Sequence, residues 1–296
     1  MTVTQTATLM GVDATATRRH TRTTGGLLLW IGEHALLVAL ATLFLFPVVF
    51  VLLTSLMNGD QTLTASLWPN PFTGENYARA FTDAPLAQWF GNSLLYAVLA
   101  TVFMLLSSVP AAYALAKIRF RGSNALFLAV IVAMLLPPQV TVVPLYVMWS
   151  QLGLTGTLWP LILPNLLGDA FSVFLLRQFF LTIPTEYADA ARIDGAGEFA
   201  VLWRVMLPMA RPGIAAAGIF LFFRSWNDYF GPLLYTSENP AAWPVAYGLA
   251  TFRGSHGTDW GITMAMTLIV TIPIVIVFFF AQRAFVEGVT LTGVKG

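Results

Sequence analysis

FGNSLLYAVLATVFMLLSSVPAAYALA, residues 90–116, contains no charged side chain. A helix that crosses a bilayer needs about 20 mostly apolar residues, so this stretch predicts one membrane span. Five other stretches meet the same criterion, and we expect further spans at Ala35–Gly59 (beginning near Leu27), Ala125–Ser150, Leu158–Phe180, Gly213–Tyr235 and Gly261–Gln282. The sequence therefore predicts an all-α integral membrane protein with six transmembrane helices.

The composition of the whole chain agrees with this fold class. Of the 296 residues, 57% are hydrophobic and 10% are charged, whereas soluble domains average about 45–50% apolar and about 25% charged residues. A net charge of +1 gives no reason to expect nucleic acid as a partner. The chain has no Cys and only three His, none of them at i,i+4 spacing, so neither a metal site nor a catalytic Cys is expected.

The placement of Lys and Arg predicts the orientation, because basic residues in short loops are retained on the cytoplasmic side. One set of loops holds only Arg79 and Arg253, whereas the other segments hold Arg18, Arg19, Arg22, Lys117, Arg119, Arg121, Arg192, Arg204, Arg211, Arg283 and Lys295. Both termini are therefore predicted to be cytoplasmic. Residues 1–26 are predicted to be a disordered tail, residues 27–283 the transmembrane domain with a core from about 88, and residues 284–296 a short flexible tail.

The longest predicted cytoplasmic loop, Pro184–Pro212, is amphipathic and rich in charge. Its charged residues are Glu186, Asp189, Arg192, Asp194, Glu198, Arg204 and Arg211. Good helix formers after Pro184 predict a short helix that ends at Gly195 and Gly197. A second short helix, Glu198–Met206, is expected to end before Pro208 and to carry one apolar face made of Phe199, Leu202, Trp203 and Met206.

Two uses of this helical pair stay open from composition alone. The pair could lie on lipid headgroups. Alternatively, Ala190 and Ala191 could form a small surface, flanked by Asp189 and Arg192, that docks into a groove of another protein. The acidic residues of the loop offset its basic ones, so it is not a basic lipid-binding patch.

The spacing of these residues resembles the EAA loop of ABC importer permeases. That pattern is E-A-A, three residues, G, nine residues, I-x-L-P, and Asp189-Ala190-Ala191-Arg192-Ile193-Asp194-Gly195 followed by Val205-Met206-Leu207-Pro208 matches it. Asp189 replaces Glu, and Val205 replaces Ile. Other segments resemble carbohydrate-importer permeases of the MalG type across residues 27–296, namely Asn92-Ser93-Leu94, Ala112–Ala116 with Arg119–Gly122, Trp226-Asn227-Asp228 and Gly293–Gly296.

The resemblance implies a six-span permease in a bacterial or archaeal inner membrane. It implies a heterodimer with a homologous second permease, two ATPase subunits that bind ATP and Mg, and an extracytoplasmic sugar-binding protein, while this chain itself holds no cofactor. The loop would be the element that couples the permease to the ATPase. The residues implied in that coupling are Glu186, Asp189, Ala190, Ala191, Arg192, Asp194, Gly195, Leu207 and Pro208.

Ionisable residues within spans are expensive in lipid and are therefore candidates for function. Arg224 and Asp228 lie at i,i+4 spacing and are expected to pair on one face of the fifth span. Asn227 and Asp228 could bind sugar hydroxyls while Trp226 stacks on a sugar ring, and a purely structural salt bridge is the alternative. Asp169 and Arg177 are expected to be structural, with Arg177 extending toward the cytoplasmic interface.

Three aromatic residues in the last predicted outer loop, Trp243, Tyr247 and Phe252, are candidates for contact with the binding protein. Anchoring at the membrane interface is the alternative for each ring. A secondary transporter or an intramembrane enzyme that uses Asp169, Arg224 and Asp228 also remains open. A Walker A pattern is missing from the sequence, so ATP hydrolysis is expected to reside in separate subunits.

Overall fold

The computed structural model describes residues 24–64, 66–255 and 259–293, and every regular element in these ranges is helical. The contacts divide the chain into two units, residues 1–49 and 50–296. The first unit, where it is described, is the beginning of α1 (Thr24–Ser55). The predicted disordered tail lies outside the described residues, except that residues 24–26 are helical.

Helix α1 is apolar on all sides. Its side chains from Trp30 to Phe50 are exposed, and they are almost all hydrophobic. A long exposed helix with no polar face is typical of a segment that lies in lipid. The predicted first span therefore corresponds to a single continuous helix, which contains Pro47.

The second unit contains the remaining helices. The first six are α2 (Glu75–Thr82), α3 (Leu86–Lys117), α4 (Ser123–Leu135), α5 (Pro138–Gln151), α6 (Trp159–Ile162) and α7 (Ala170–Thr182). The next three are α8 (Thr185–Ile193), α9 (Glu198–Ala200) and α10 (Leu207–Met209), with a π-helical turn, Val201–Met206, between α9 and α10. The last four are α11 (Arg211–Trp226), α12 (Phe230–Tyr235), α13 (Val245–Ser255) and α14 (Trp260–Gly293).

Four helical segments in the described ranges are long and apolar enough to cross a membrane, and the number rises to six if each of two bent pairs forms one span. One bent pair is α4 with α5, which meet at 94°. A single straight helix over 125–150 is therefore wrong. The break lies at Leu136 and Pro137, both extended, because a residue before proline disfavours the helical conformation.

The predicted fourth span is interrupted in its middle. Helix α6 continues into a 3-10 turn, Leu163–Leu167, and Gly168 has a φ of +94° before α7 begins. Side chains satisfy the backbone at this break: the Asn165 amide donates to the carbonyl oxygens of Leu161 and Ile162, and the Ser107 hydroxyl donates to the carbonyl oxygen of Asn165. Irregular backbone is tolerated at membrane depth only where such partners exist.

The last two predicted spans have different ends in the structure. Helix α11 stops at Trp226, so the predicted helix over 213–235 is wrong beyond that residue. Helix α14 extends past the predicted end at Gln282 as far as Gly293, so most of the tail predicted to be flexible has a helical backbone. The 32 residues of α3 include the second predicted span and remain helical through Pro110.

Two hydrophobic clusters hold the second unit together. The larger cluster joins α3, α7 and α11 to the segment that connects α7 with α11, and it includes Tyr113, Phe180, Met206 and Ala217. The smaller cluster joins α2, the start of α3, the end of α11, α13 and α14. Helices α3 and α11 contribute to both clusters and therefore connect them.

Replacing Gly213 with Ala is expected to destabilise the protein. A Cβ at this position would lie 2.5 Å from Cγ of Phe179, whose buried ring cannot move without disturbing the core. Overpacking of this kind costs about 1–3 kcal/mol. Gly218→Ala in the same helix is the matched control, because its Cβ would meet its nearest atoms at 3.6 and 3.7 Å. We expect G213A, and not G218A, to lower the melting temperature in detergent; equal values would contradict this packing.

Candidate functional site

The linking segment, residues 183–210, connects α7 to α11 at one end of the helical bundle. Its first helix, α8, begins after Pro184 and ends where Gly195 adopts a φ of +85°. The Ala196 N–H then donates to the carbonyl oxygen of Ala191 at 3.0 Å. A left-handed residue at a helix end favours glycine, so the predicted stop at Gly195 is confirmed.

The second half of the linking segment is a longer helical run than the sequence predicts. Helix α9, the π-helical turn and α10 continue to Met209, and the run then bends by 80° into α11. The predicted end before Pro208 is therefore wrong. Pro208 lies in the first turn of α10, where a missing N–H is tolerated.

The apolar side chains of this run differ in how deeply they are buried. Leu202 and Met206 are buried, whereas Phe199 and Trp203 are 75% and 49% exposed. The rings of Phe199 and Trp203 contact each other, with centroids 5.9 Å apart, and they line one apolar cavity together with Leu202. The predicted apolar face is therefore present for these three residues, while Met206, in the π-helical turn, packs into the larger hydrophobic cluster.

Helix α8 has one face toward its own chain and one face outward. Ala188 is buried and Ala191 packs against the larger hydrophobic cluster, whereas Ala190 is exposed. Tyr187 and Ile193, three residues to either side of Ala190, are exposed as well and share its face. Ala190 therefore contributes most of the predicted outer surface, whereas Ala191 is half-buried. Sequence reasoning missed Tyr187 and Ile193, which the helical spacing from Ala190 could have indicated.

Arg192 of α8 forms ion pairs within the chain. Arg192 donates to Asp189 at 2.7 Å and to both oxygens of Glu198 at 2.7 and 3.1 Å. These bonds, that to Glu198 above all, raise the pKa of Arg192, and the same pairing lowers the pKa of Glu198. Glu186, Asp194, Gly195 and Pro208 are exposed, and Leu207 packs partly against the core.

The membrane-depth charges pair differently from the prediction. Arg224 donates to Asp169 of α7 at 3.1 Å and not to Asp228, so the expected i,i+4 pair is wrong. Because α11 ends at Trp226, Asp228 leaves the helical face and accepts hydrogen bonds from the Tyr96 hydroxyl and the Gly231 N–H, each at 3.0 Å.

Asp169 has two structural roles, as expected for this residue. It caps α7 by accepting hydrogen bonds from the Ser172 N–H and hydroxyl at 2.9 and 2.7 Å. Its other oxygen accepts from Arg224, whose side chain is 65% exposed. A cavity of about 290 Å³ opens beside this pair and is lined by Asp169, Phe171, Ser172, Phe220, Leu221 and Arg224.

Trp226 and Arg177 are both held inside the bundle. Trp226 is 1% exposed, packs against Phe222, and donates its Nε1–H to the carbonyl oxygen of Val270, so the predicted stacking on a sugar is wrong in this conformation. Asn227 remains exposed and donates to the carbonyl oxygen of Phe223. Arg177 is partly buried, its guanidinium lies 3.8 Å over the Phe127 ring, and its Nε–H donates to the carbonyl oxygen of Leu115 near the end of α3, which agrees with a structural role.

The aromatic residues of the last predicted outer loop are largely internal. Tyr247 and Phe252 are 8% and 4% exposed, and Trp243 donates its Nε1–H to the carbonyl oxygen of Thr236. A contact surface made of these rings is therefore wrong for Tyr247 and Phe252. Among the described residues of this region, a short stretch around a 3-10 turn, residues 238–241, is exposed.

Residues 108–291 match the family model of the binding-protein-dependent transport system inner membrane component. The chain belongs to this family. The matched region includes the linking segment and every span after α3. Membership makes the protein a multi-pass membrane component of a transport system and does not favour the secondary-transporter or intramembrane-enzyme alternatives.

Curated relatives of this family cover nearly the whole chain. The arabinooligosaccharides transport system permease protein AraQ of Halalkalibacterium halodurans is 36% identical over 87% of this chain and 93% of its own. The diacetylchitobiose uptake system permease protein NgcG of Streptomyces coelicolor is 31% identical over 87% and 86%. The sn-glycerol-3-phosphate transport system permease protein UgpE of Yersinia pestis is 32% identical over 86% and 94%.

A solved structure has the same fold. It belongs to a bacterial ABC transporter involved in the import of the acidic polysaccharide alginate, and its matching chain superposes with a TM-score of 0.76. The match covers 88% of this chain and 98% of the other at 23% identity.

Replacing Asp169 with Ala is expected to destabilise the bundle more than replacing it with Asn. Loss of a capping side chain costs about 0.5–2 kcal/mol, and Ala also removes the partner of Arg224. Asn keeps an oxygen that can accept from the Ser172 N–H. We expect a lower melting temperature in detergent for D169A than for D169N. Equal effects of the two variants would contradict the capping role.

Proposed function

We propose that this chain is a permease subunit of an ATP-driven importer that takes up a carbohydrate, of the di- or oligosaccharide class, delivered by an extracytoplasmic binding protein. Family membership supports the transport role. The names of two relatives, which refer to arabinooligosaccharides and diacetylchitobiose, support the substrate class.

The observation that carries the proposal is the outward face of α8. Tyr187, Ala190 and Ile193 form a short exposed stripe on a helix whose opposite side is anchored in the core by Ala188. A helix held in this way can dock into a cleft of an ATPase subunit and transmit its movement as a rigid body. Glu186 and Asp189 lie beside the stripe and offer carboxylates to basic residues of that partner.

The proposed assembly follows from this docking. Two ATPase subunits bind ATP and Mg, and a homologous second permease completes a heterodimer with this chain. Helices α4 and α5 together form one span and α11 forms another, which with the four long apolar segments gives six spans, with both termini and the linking segment on the cytoplasmic side of the inner membrane. Asn227 and the cavity beside Arg224 are candidates for the sugar path, since both present polar groups at membrane depth.

Purification of the tagged chain from its native membrane tests the assembly. We expect an ATPase and a second permease to accompany it in stoichiometric amounts, and the complex in proteoliposomes to accumulate sugar only with ATP inside and binding protein outside. A chain that transports in isolation, driven by an ion gradient, would overturn the proposal. The ligand that the cognate binding protein retains identifies the sugar.

Replacing Gly195 with Val is expected to separate ATP hydrolysis from uptake. A Cβ added at this position would meet no atom within 4 Å, but Val must adopt a φ of +85°, which costs about 1–2 kcal/mol and is expected to shift the end of α8. Gly197→Ala is the matched control, since Gly197 also lies in open space and has a φ of −70°.

We expect the G195V complex to assemble and to hydrolyse ATP while it accumulates less sugar per ATP hydrolysed than the G197A complex. Sedimentation or size-exclusion chromatography verifies that both complexes are assembled. Normal uptake by G195V would contradict the coupling role of α8.

A further inference from the structure

The last turns of α3 hold the linking segment at two points. The Tyr113 hydroxyl donates to Glu198 at 2.7 Å, and the Lys117 ammonium donates to the carbonyl oxygen of Ile183. Tyr113 and Lys117 are four residues apart, so their side chains leave the same face of α3. One helix end therefore contacts both Ile183 and Glu198.

These two contact points lie on either side of α8. Ile183 comes directly before Pro184, which precedes the first turn of α8, and Glu198 begins α9 directly after the turn that ends α8. Arg192, in the last turn of α8, donates to Glu198 and to Asp189. Helix α8 is thus bracketed, with its start tied to Lys117 and its end tied through Glu198 to Tyr113.

Tyr113, which binds Glu198, is itself packed in the core. Tyr113 is 2% exposed, and its ring packs edge-on against Phe180 with the ring centroids 5.9 Å apart. In the same turns of α3, the Leu115 carbonyl oxygen accepts a hydrogen bond from Arg177 of α7 at 3.2 Å. Such directional contacts among buried groups leave little freedom for the linking segment to slide along α3.

The same helix makes polar contacts at its opposite end. The Ser93 hydroxyl accepts from the Val245 N–H at 2.7 Å in a buried position, and the Asn92 amide donates to the carbonyl oxygens of Ala241 and Trp243. Between the two ends, Tyr96 donates to Asp228 at the break between α11 and α12. Helix α3 has 32 residues and is therefore about 48 Å long at 1.5 Å per residue.

We propose that α3 is the transmission rod of this permease. The Tyr113 and Lys117 bracket fixes α8 to one end of α3, and Asn92 and Ser93 fix the outer loop at residues 241–245 to the other end. Movement of α8 on the ATPase then displaces the outer loop through α3, although α7 and α11 are the helices connected to the linking segment in sequence. Tyr113 and Lys117 are positioning residues in this mechanism. The inference rests on the proposed function.

The combined variant Tyr113→Phe with Lys117→Met tests the bracket. Phe keeps the buried ring and Met keeps the length of the apolar stem, so both substitutions remove only the polar contacts. Tyr229→Phe is the matched control, because Tyr229 is an exposed tyrosine on another part of the chain. In the reconstituted transporter with its ATPase subunits, we expect the double variant to hydrolyse ATP at the wild-type rate and to accumulate at least about fivefold less sugar per ATP than Y229F. Wild-type accumulation by the double variant would overturn the proposal.

A distance measurement provides a readout besides transport. The chain has no native Cys, so spin labels attach only at Cys residues that are introduced for the measurement. One label at Phe199→Cys, on the 75% exposed side chain beside Glu198, is combined with a second at Ala111→Cys in α3 or at Arg211→Cys at the start of α11.

We expect the 199–111 distance to stay the same between the nucleotide-free and vanadate-trapped transporter, and the 199–211 distance to change. In the double variant the 199–111 distance should change as well. A change in the 199–111 distance in the transporter that keeps Tyr113 and Lys117 would overturn the proposal. If the distances overturn the role of α3 but the complex still takes up sugar with ATP, the proposed function stands. If the purified complex contains no ATPase, the proposed function itself is wrong.

Discussion

Every backbone N–H and C=O group at membrane depth must find a partner within the protein, because lipid offers none. The straight helices satisfy this requirement by themselves, and two of the interrupted regions satisfy it with nearby side chains. Asn165 and Ser107 bind the backbone at the break before α7, and Asp228 binds the Gly231 N–H at the break after α11. Polar residues in the spans of this protein therefore serve first to make irregular backbone possible, and the functional geometry is built on the places where the helices break.

The spans could be located from the sequence because lipid selects against charge, and the absence of charge is visible residue by residue. The breaks could not be located in the same way, since proline and glycine act through their surroundings. Pro110 remains inside α3, whereas Pro137 separates α4 from α5 by a bend of 94°. The sequence shows part of this difference, because two consecutive prolines, Pro137 and Pro138, disfavour the helical conformation at Leu136 and Pro137. Pro110 is a single proline, and the helix around it packs against α7 and α11 in the larger hydrophobic cluster, which the sequence does not show.

The linking segment shows the same division between local and tertiary causes. Its position, its first helix and the stop at Gly195 follow from local preferences that the sequence displays. The burial of its side chains does not, because it depends on the helices that pack against the segment: Leu202 and Met206 are buried, whereas Phe199 and Trp203 are exposed. The predicted pairing of Arg224 with Asp228 is wrong for a related reason. The i,i+4 rule assumes that the helix continues to Asp228, and α11 ends two residues earlier.

The π-helical turn also limits how the length of this segment can vary. A π-helical turn holds one residue more than an α-helical turn, so loss of one residue between Val201 and Met206 would leave an ordinary α-helical turn and nearly the same orientation of α9 relative to α11. Each further residue turns an α-helix by about 100°, since 3.6 residues complete a turn. Loss of a second residue would therefore rotate α8 and α9 by that angle relative to α11, and Glu198 would leave Tyr113. The segment can thus lose one residue at this turn and keep its contacts with α3, but it cannot lose two.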